Sequence, residues 1–132
     1  MLQNIENTEN LDGWLDFMTD RRERRAFLGN LLHDIKYNSN PDLLYKRYGG
    51  FDLNIIDLLS KEEFTQLCIL ATYIEQAFYN RKLPPPKWVL DGRLYLDEPY
   101  FTASKEPKLV FFAPQACLTH NVFLYNSEFE VL

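Results

Sequence analysis

The segment from Ser60 to about Asn80 constrains the fold more than any other part of the chain. Ser60 and Glu63 form a capping box, in which the serine hydroxyl and the glutamate carboxylate satisfy free amides at the start of a helix. Apolar residues then recur at steps of three and four, which places them on one face of that helix. The sequence therefore predicts a long helix whose buried face is made of Phe64, Leu67, Cys68, Ala71, Ile74 and Phe78.

Three consecutive prolines, Pro84 to Pro86, divide the chain into two parts. Proline lacks an amide donor and disfavours helix in the preceding residue, so the long helix should end before them. Residues 1–9 are polar and predict a frayed end, residues 10–83 have helical periodicity, and residues 84–132 are mixed. We therefore expect one domain of mainly α class, a small helical bundle with an irregular or small α+β C-terminal part.

Further helices are indicated before the capping box. One covers about Asp20 to Tyr37, where a single apolar stripe follows the helical period. Another is capped by Asn40-Pro41 and ended by Gly49-Gly50. Residues 51–59 fit either a short helix or an extended connector. A short first helix, weakened by a glycine at position 13, is suggested by Leu11, Trp14, Leu15 and Met18.

The strand candidates follow the prolines. Val122 to Tyr125 is the best candidate and Leu109 to Phe112 is the second, and either could pair in a small sheet. Alternatively, Pro114 opens a short helix over residues 113–119.

Charge and cysteine content limit the possible partners and location. The net charge is −5 and the pI is about 5.0, which argues against a general nucleic-acid binder because such proteins need a basic face. Two cysteines are too few for a secreted disulfide framework. The N-terminus lacks the pattern of a signal peptide, and the longest apolar run, Leu109 to Ala113, is far too short to span a membrane. We expect a cytoplasmic protein.

Cys117 and His120 have a spacing that can chelate a metal, and Cys68 and His33 would complete four ligands. However, Cys68 lies on the predicted apolar face, where free cysteine behaves as a small hydrophobe, and His33 lies at a helix edge that should face solvent. No cue indicates a lowered thiol pKa that would make Cys117 a nucleophile. The sequence therefore predicts no metal, no cofactor and no catalytic residue.

Three carboxylates, Asp91, Asp97 and Glu98, lie in a short polar segment. Paired carboxylates can bind Mg²⁺ or perform acid–base catalysis. An alternative function is therefore a small hydrolase, Mg²⁺-dependent or metal-independent, that uses them and His120. The ordinary explanation is that Asp91-Gly92 and Asp97-Glu98-Pro99 form turns.

A basic cluster marks the start of the second predicted helix and comprises Arg21, Arg22, Arg24 and Arg25. Positive charge at a helix N-terminus opposes the helix dipole, so the cluster costs stability. It could be a docking patch for an acidic partner or, as a further alternative, a weak RNA-binding site. It could equally be a solvated face with Asp20 and Glu23 as local partners.

Two motifs in the C-terminal half resemble a family of small bacterial proteins of uncharacterised function. The first runs from Leu83 through the prolines to Trp88, and the second from Tyr95 to Phe101. A degenerate tail motif corresponds to residues 113–128, so the resemblance covers residues from about 72 onwards. Members of this kind resemble the non-catalytic half of toxin–antitoxin or mobile-element gene pairs. The resemblance implies protein binding.

The same segment carries four large rings on a backbone stiffened by proline: Trp88, Tyr95, Tyr100 and Phe101. Aromatic anchors on a rigid backbone are typical of binding hot spots, although the rings could also cover the end of the bundle. We therefore expect a non-catalytic interaction module, antitoxin-like or accessory to a neighbouring gene product. It would bind a protein partner or itself through these rings and the arginine cluster.

Overall fold

A computed structural model describes residues 11–101, 113–124 and 126–129. In these ranges there are five α-helices, and the mainly α prediction is confirmed. They are α1 (Trp14–Thr19), α2 (Arg21–Tyr37), α3 (Pro41–Tyr48), α4 (Lys61–Asn80) and α5 (Gln115–His120). Short 3₁₀ helices cover Leu53–Leu58, Lys87–Leu90 and Asn126–Phe129.

Helix α4 is the central element of the fold. It begins with the predicted capping box, because Ser60 Oγ accepts from the Glu63 amide at 3.1 Å and Glu63 Oε1 accepts from the Ser60 amide at 2.8 Å. Leu67, Ala71 and Ile74 are fully buried, as predicted. Helices α1, α2 and α5 all pack against α4. One continuous apolar core therefore surrounds this helix.

The first two helices begin where local chemistry allows them to. Gly13 precedes α1 with a φ of 75°, a left-handed conformation that glycine adopts without strain. The glycine predicted to weaken this helix thus starts it. Helix α2 is capped by Asp20, whose carboxylate accepts from the Glu23 amide at 2.9 Å.

Helix α3 begins and ends at the predicted residues. Asn40 caps it by accepting from the Asp42 amide at 3.1 Å, and the helix ends at Tyr48 before Gly49. Asp34 of α2 accepts a hydrogen bond from the Tyr48 hydroxyl at 2.7 Å and forms an ion pair with Arg47. These contacts join α3 to α2. The segment at 51–59 is resolved in favour of a short helix, the 3₁₀ turn Leu53–Leu58.

The C-terminal part contains a small sheet and a short helix. Strand β1 (Tyr100–Phe101) pairs in parallel with β2 (Val122–Phe123). The sequence identified β2, whereas β1 was not recognised as a strand. The helix opened by Pro114 is also present, as α5. Tyr125 and the candidate strand at residues 109–112 lie outside the described residues. No helix in the described ranges is long and apolar enough to cross a membrane.

Candidate functional site

Three of the four arginines at the start of α2 share one helical face. Arg21, Arg24 and Arg25 follow the i, i+3, i+4 spacing that brings side chains together on a helix. Arg22 is exposed as well, about 100° around the helix axis from Arg21 and about 60° from Arg25. The arginine face continues into the next two turns of α2 with Leu28, Gly29 and Leu32.

This face lines a groove of about 760 Å³, which we call the arginine groove. Its arginines lie at one end of the α2 face, and buried apolar side chains provide its base. The structure therefore brings part of the predicted arginine cluster together with one of the four predicted rings, Tyr100, although the two are far apart in sequence. The remaining lining residues, contributed from beyond α2, are Ile69, Tyr73, Tyr100 and Glu128.

The three groove arginines differ in what holds them. Arg24 is half-buried and donates to the Met18 carbonyl at 3.2 Å and to Gln66 Oε1 at 2.9 Å. Its guanidinium thus ties α2 to α4 and to the end of α1. Arg21 and Arg25 are exposed, and neither forms an ion pair with another described residue. Arg24 therefore positions the helix, while Arg21 and Arg25 are available to a ligand.

The electrostatics of the arginine groove favour an anionic ligand. Among the described lining residues, three are arginines and one, Glu128, carries a carboxylate, in a protein whose net charge is −5. Burial raises the pKa of Tyr73, and the nearby Glu128 and Tyr100 raise it further against the opposing effect of Arg24. Tyr73 therefore stays a neutral phenol that can donate a hydrogen bond. Arginine adds a planar fork of donors that matches a carboxylate or a phosphate.

Trp88 is a core residue, which corrects the expectation that it contributes to a contact surface. Its side chain is buried, its ring stacks on Phe51 at 4.6 Å, and its indole N–H donates to the Tyr48 carbonyl at 2.6 Å. The last carbonyls of a helix have no partner within that helix. Trp88 therefore both fills the end of the bundle and satisfies a terminal carbonyl of α3.

The other three rings are divided between different environments. Tyr95 is exposed and lies outside the groove lining. Phe101 is half-buried and stacks on Phe123 at 5.4 Å, so it supports the small sheet. Tyr100 is the one of the four that lines the groove as the described residues define it.

Neither cysteine has the properties of a nucleophile or of an available metal ligand. Cys68 and Cys117 are buried free thiols, and burial raises their pKa to about 12 and about 11. His33 is exposed, as predicted. Within the described ranges, no group of three or more His, Cys, Asp or Glu side chains is arranged to hold a metal ion.

His120 has a structural partner that sequence reasoning missed. It is fully buried, with Nε2 at 2.9 Å from Glu75 Oε1 and Nδ1 in contact with the Leu94 carbonyl oxygen. Thr119 also donates to Glu75, through its hydroxyl at 3.1 Å. The available signal was Glu75 itself, because a carboxylate among the apolar residues of α4 requires a buried partner.

The three loop carboxylates lie at surface turns. Asp91 pairs with Arg93 at 3.0 Å, and the hydrogen bonds from the Arg93 side chain and amide lower the pKa of Asp91. Asp97 and Glu98 are exposed. None of the three lines the arginine groove, and neither does the buried His120.

Comparisons with models of known protein families, with curated proteins and with solved structures found no match. The resemblance of the C-terminal half to a bacterial family stays a prediction.

Proposed function

We propose that the protein is a non-catalytic interaction module that binds a partner protein, or a second copy of itself, through the arginine groove. The observation that carries the proposal is the convergence of Arg21, Arg25 and Tyr100 in one groove. Sequence patterns had singled out the arginines and the tyrosine separately. Arginine and tyrosine are among the residues enriched in binding hot spots.

The placement of the charges supports a binding role. Arg21 lies in the first turn of α2, where a positive charge opposes the helix dipole and lowers helix stability. Arg21 and Arg25 gain no compensating ion pair among the described residues. A volume of about 760 Å³ is also within the range of known ligand sites. The uncompensated charges and the size of the groove both fit a site in which Arg21 and Arg25 make their favourable contacts with a ligand.

The alternatives have weaker support. A hydrolase needs reactive groups that converge in a concave site, whereas Asp91, Asp97 and Glu98 lie at surface turns outside the groove. An RNA binder needs a basic surface that follows many phosphates, and this protein has a net charge of −5. A basic groove that is confined to one part of an acidic protein fits a short acidic segment of a partner protein better than it fits RNA.

We also propose an antitoxin-like role, or one accessory to a neighbouring gene product, which the resemblance of the C-terminal half to a bacterial family implies. A cytoplasmic location accords with two buried thiols that are not joined in a disulfide.

Site-specific photocrosslinking tests the proposed function in cells that naturally express the protein. Benzoylphenylalanine would replace Tyr100, which lines the groove, or Tyr37, which is exposed at the far end of α2. We expect one discrete adduct, with a partner or with a second copy, from position 100 only. The adduct should be lost when Arg21→Gln and Arg25→Gln are added. An adduct that forms equally at both positions, or that ignores the arginines, would contradict the proposal.

A further inference from the structure

The chemistry of the arginine groove changes along α2. Arg21 and Arg25 lie at its start, and the buried side chains of Leu28 and Leu32 lie one to two turns later. The rise from Arg21 to Leu32 is about 16 Å along the helix axis. An extended peptide covers that length with about five residues. One end of the groove is therefore cationic and the other end is apolar, over the length of a short peptide.

Gly29 lies between these two ends, in the interior of α2. Glycine destabilises a helix interior relative to alanine. A Cβ at this position would meet no atom within 4 Å, so packing does not require glycine here. The missing side chain leaves open space over the helix within the groove. Such space allows another backbone to approach α2 closely.

We infer that the ligand of the arginine groove is a short acidic–apolar peptide segment of the partner protein. This inference rests on the proposed function. Carboxylates at one end of the segment pair with Arg21 and Arg25, and its backbone runs along α2 and passes over Gly29. The apolar side chains at its other end pack on Leu28, Leu32 and Ile69.

A peptide fits this lining better than a polyanion does. A nucleic-acid backbone presents phosphates continuously, whereas the exposed guanidinium groups of the described lining residues lie at one end of the groove. The apolar side chains at the other end would offer no partner to a phosphate. Outside the groove, the net charge of −5 repels an acidic peptide, so non-specific binding is disfavoured. Tyr73, as a neutral phenol, adds a hydrogen-bond donor for the peptide carbonyls.

Fluorescence anisotropy with short labelled peptides tests whether binding requires the acidic end and the apolar end of the peptide. The probe carries two glutamates, a glycine and two leucines, and the comparison peptides replace either the glutamates by glutamines or the leucines by serines. We expect saturable binding of the first peptide and weaker binding of both others. Arg21→Gln with Arg25→Gln should weaken binding by about five- to thirtyfold, as the loss of two partly shielded ion pairs predicts. Arg22→Gln, which alters an arginine that does not line the groove, should change it less than twofold.

Gly29 supplies a second test that separates binding from folding. Gly29→Leu should abolish peptide binding because the side chain fills the groove, while the thermal midpoint stays equal or rises because leucine favours helix. The matched control is Ala26→Leu, which adds a similar side chain at an exposed position of α2 outside the groove. This control should bind the peptide normally. Normal binding by Gly29→Leu would overturn the assigned peptide path.

The remaining outcomes also decide the inference. Absence of saturable binding by the acidic peptide, or tighter binding of a single-stranded RNA of similar length, would overturn it. If the crosslink from position 100 nevertheless depended on Arg21 and Arg25, the proposed function would stand and only the ligand class would be wrong. If the crosslink ignored the arginines, the proposed function itself would fail.

Discussion

Glu75 of α4 and His120 of α5 are joined inside the core by a contact of 2.9 Å between Oε1 and Nε2, and neither side chain is exposed. The Leu94 carbonyl can only accept, so Nδ1 of His120 carries a proton toward it. This buried pair attaches the C-terminal part of the chain to the central helix.

Removing one member of the pair should strongly destabilise the fold. His120→Ala leaves the Glu75 carboxylate buried without its imidazole partner, which costs about 3–5 kcal/mol of unfolding free energy in comparable cases. The matched control is His33→Ala, because His33 is exposed and its loss should cost about 0.5 kcal/mol or less. Urea unfolding of both variants is the measurement. Equal stabilities would show that the pair contributes little.

The central position of α4 predicts a contrast between two leucines. Leu67→Ala should lower the unfolding free energy by about 2–5 kcal/mol, because the truncation leaves a cavity in the core. Leu58→Ala should change it by about 0.5 kcal/mol or less, since 83% of Leu58 is exposed. Thermal or chemical unfolding compares the two. A small effect of Leu67→Ala would place the core elsewhere.

Both thiols should resist modification in the folded protein. Burial holds Cys68 and Cys117 in the protonated form at neutral pH, with pKa values of about 12 and about 11, and the thiolate is the reactive species. Because folding raises both pKa values, the unfolded chain loses these protons first. The free energy of unfolding should therefore fall as the pH rises above 9.0, the ordinary pKa of a cysteine thiol. Ellman's reagent at pH 8 should react with neither until denaturant is added. Fast reaction without denaturant would contradict their burial.

Neighbouring aromatic residues in β1 should separate binding from stability. Tyr100→Ala should weaken association through the arginine groove and lower the thermal midpoint less than Phe101→Ala does, because its ring lines that groove as well as packing against the core. Phe101→Ala should lower the midpoint, because its ring stacks on Phe123 at 5.4 Å. Scanning calorimetry and the crosslinking assay measure the two effects. The same response from both variants would mean that the two rings share one environment.

The elements that sequence predicted well are those specified by local chemistry. The capping box at Ser60, the proline after Asn40 and the glycines after Tyr48 act through neighbouring residues, so helices α3 and α4 were predictable from the chain alone. Periodicity likewise predicted the burial of Leu67. These features require no knowledge of how distant segments meet.

The features that sequence missed depend on contacts between distant segments. The strand at Tyr100–Phe101 exists because of Val122–Phe123, and two residues carry too little periodicity to be recognised. Tryptophan is typical of an interface anchor, but Trp88 is buried by contacts with Phe51 and the Tyr48 carbonyl that its local sequence does not reveal. The arginine cluster and Tyr100 were predicted as separate features, because they lie far apart in sequence and meet only in the folded chain.

Arg21 and Arg25 are expected to bind carboxylates of the ligand, and the side-chain Nε–Hε resonances of these arginines report that contact. In a ¹⁵N-labelled protein titrated with the acidic peptide, the resonances of Arg21 and Arg25 should shift together and saturate. The resonance of Arg22, which does not line the groove, should stay in place. Equal shifts for Arg22, or unchanged resonances for Arg21 and Arg25 while the peptide binds, would contradict the account.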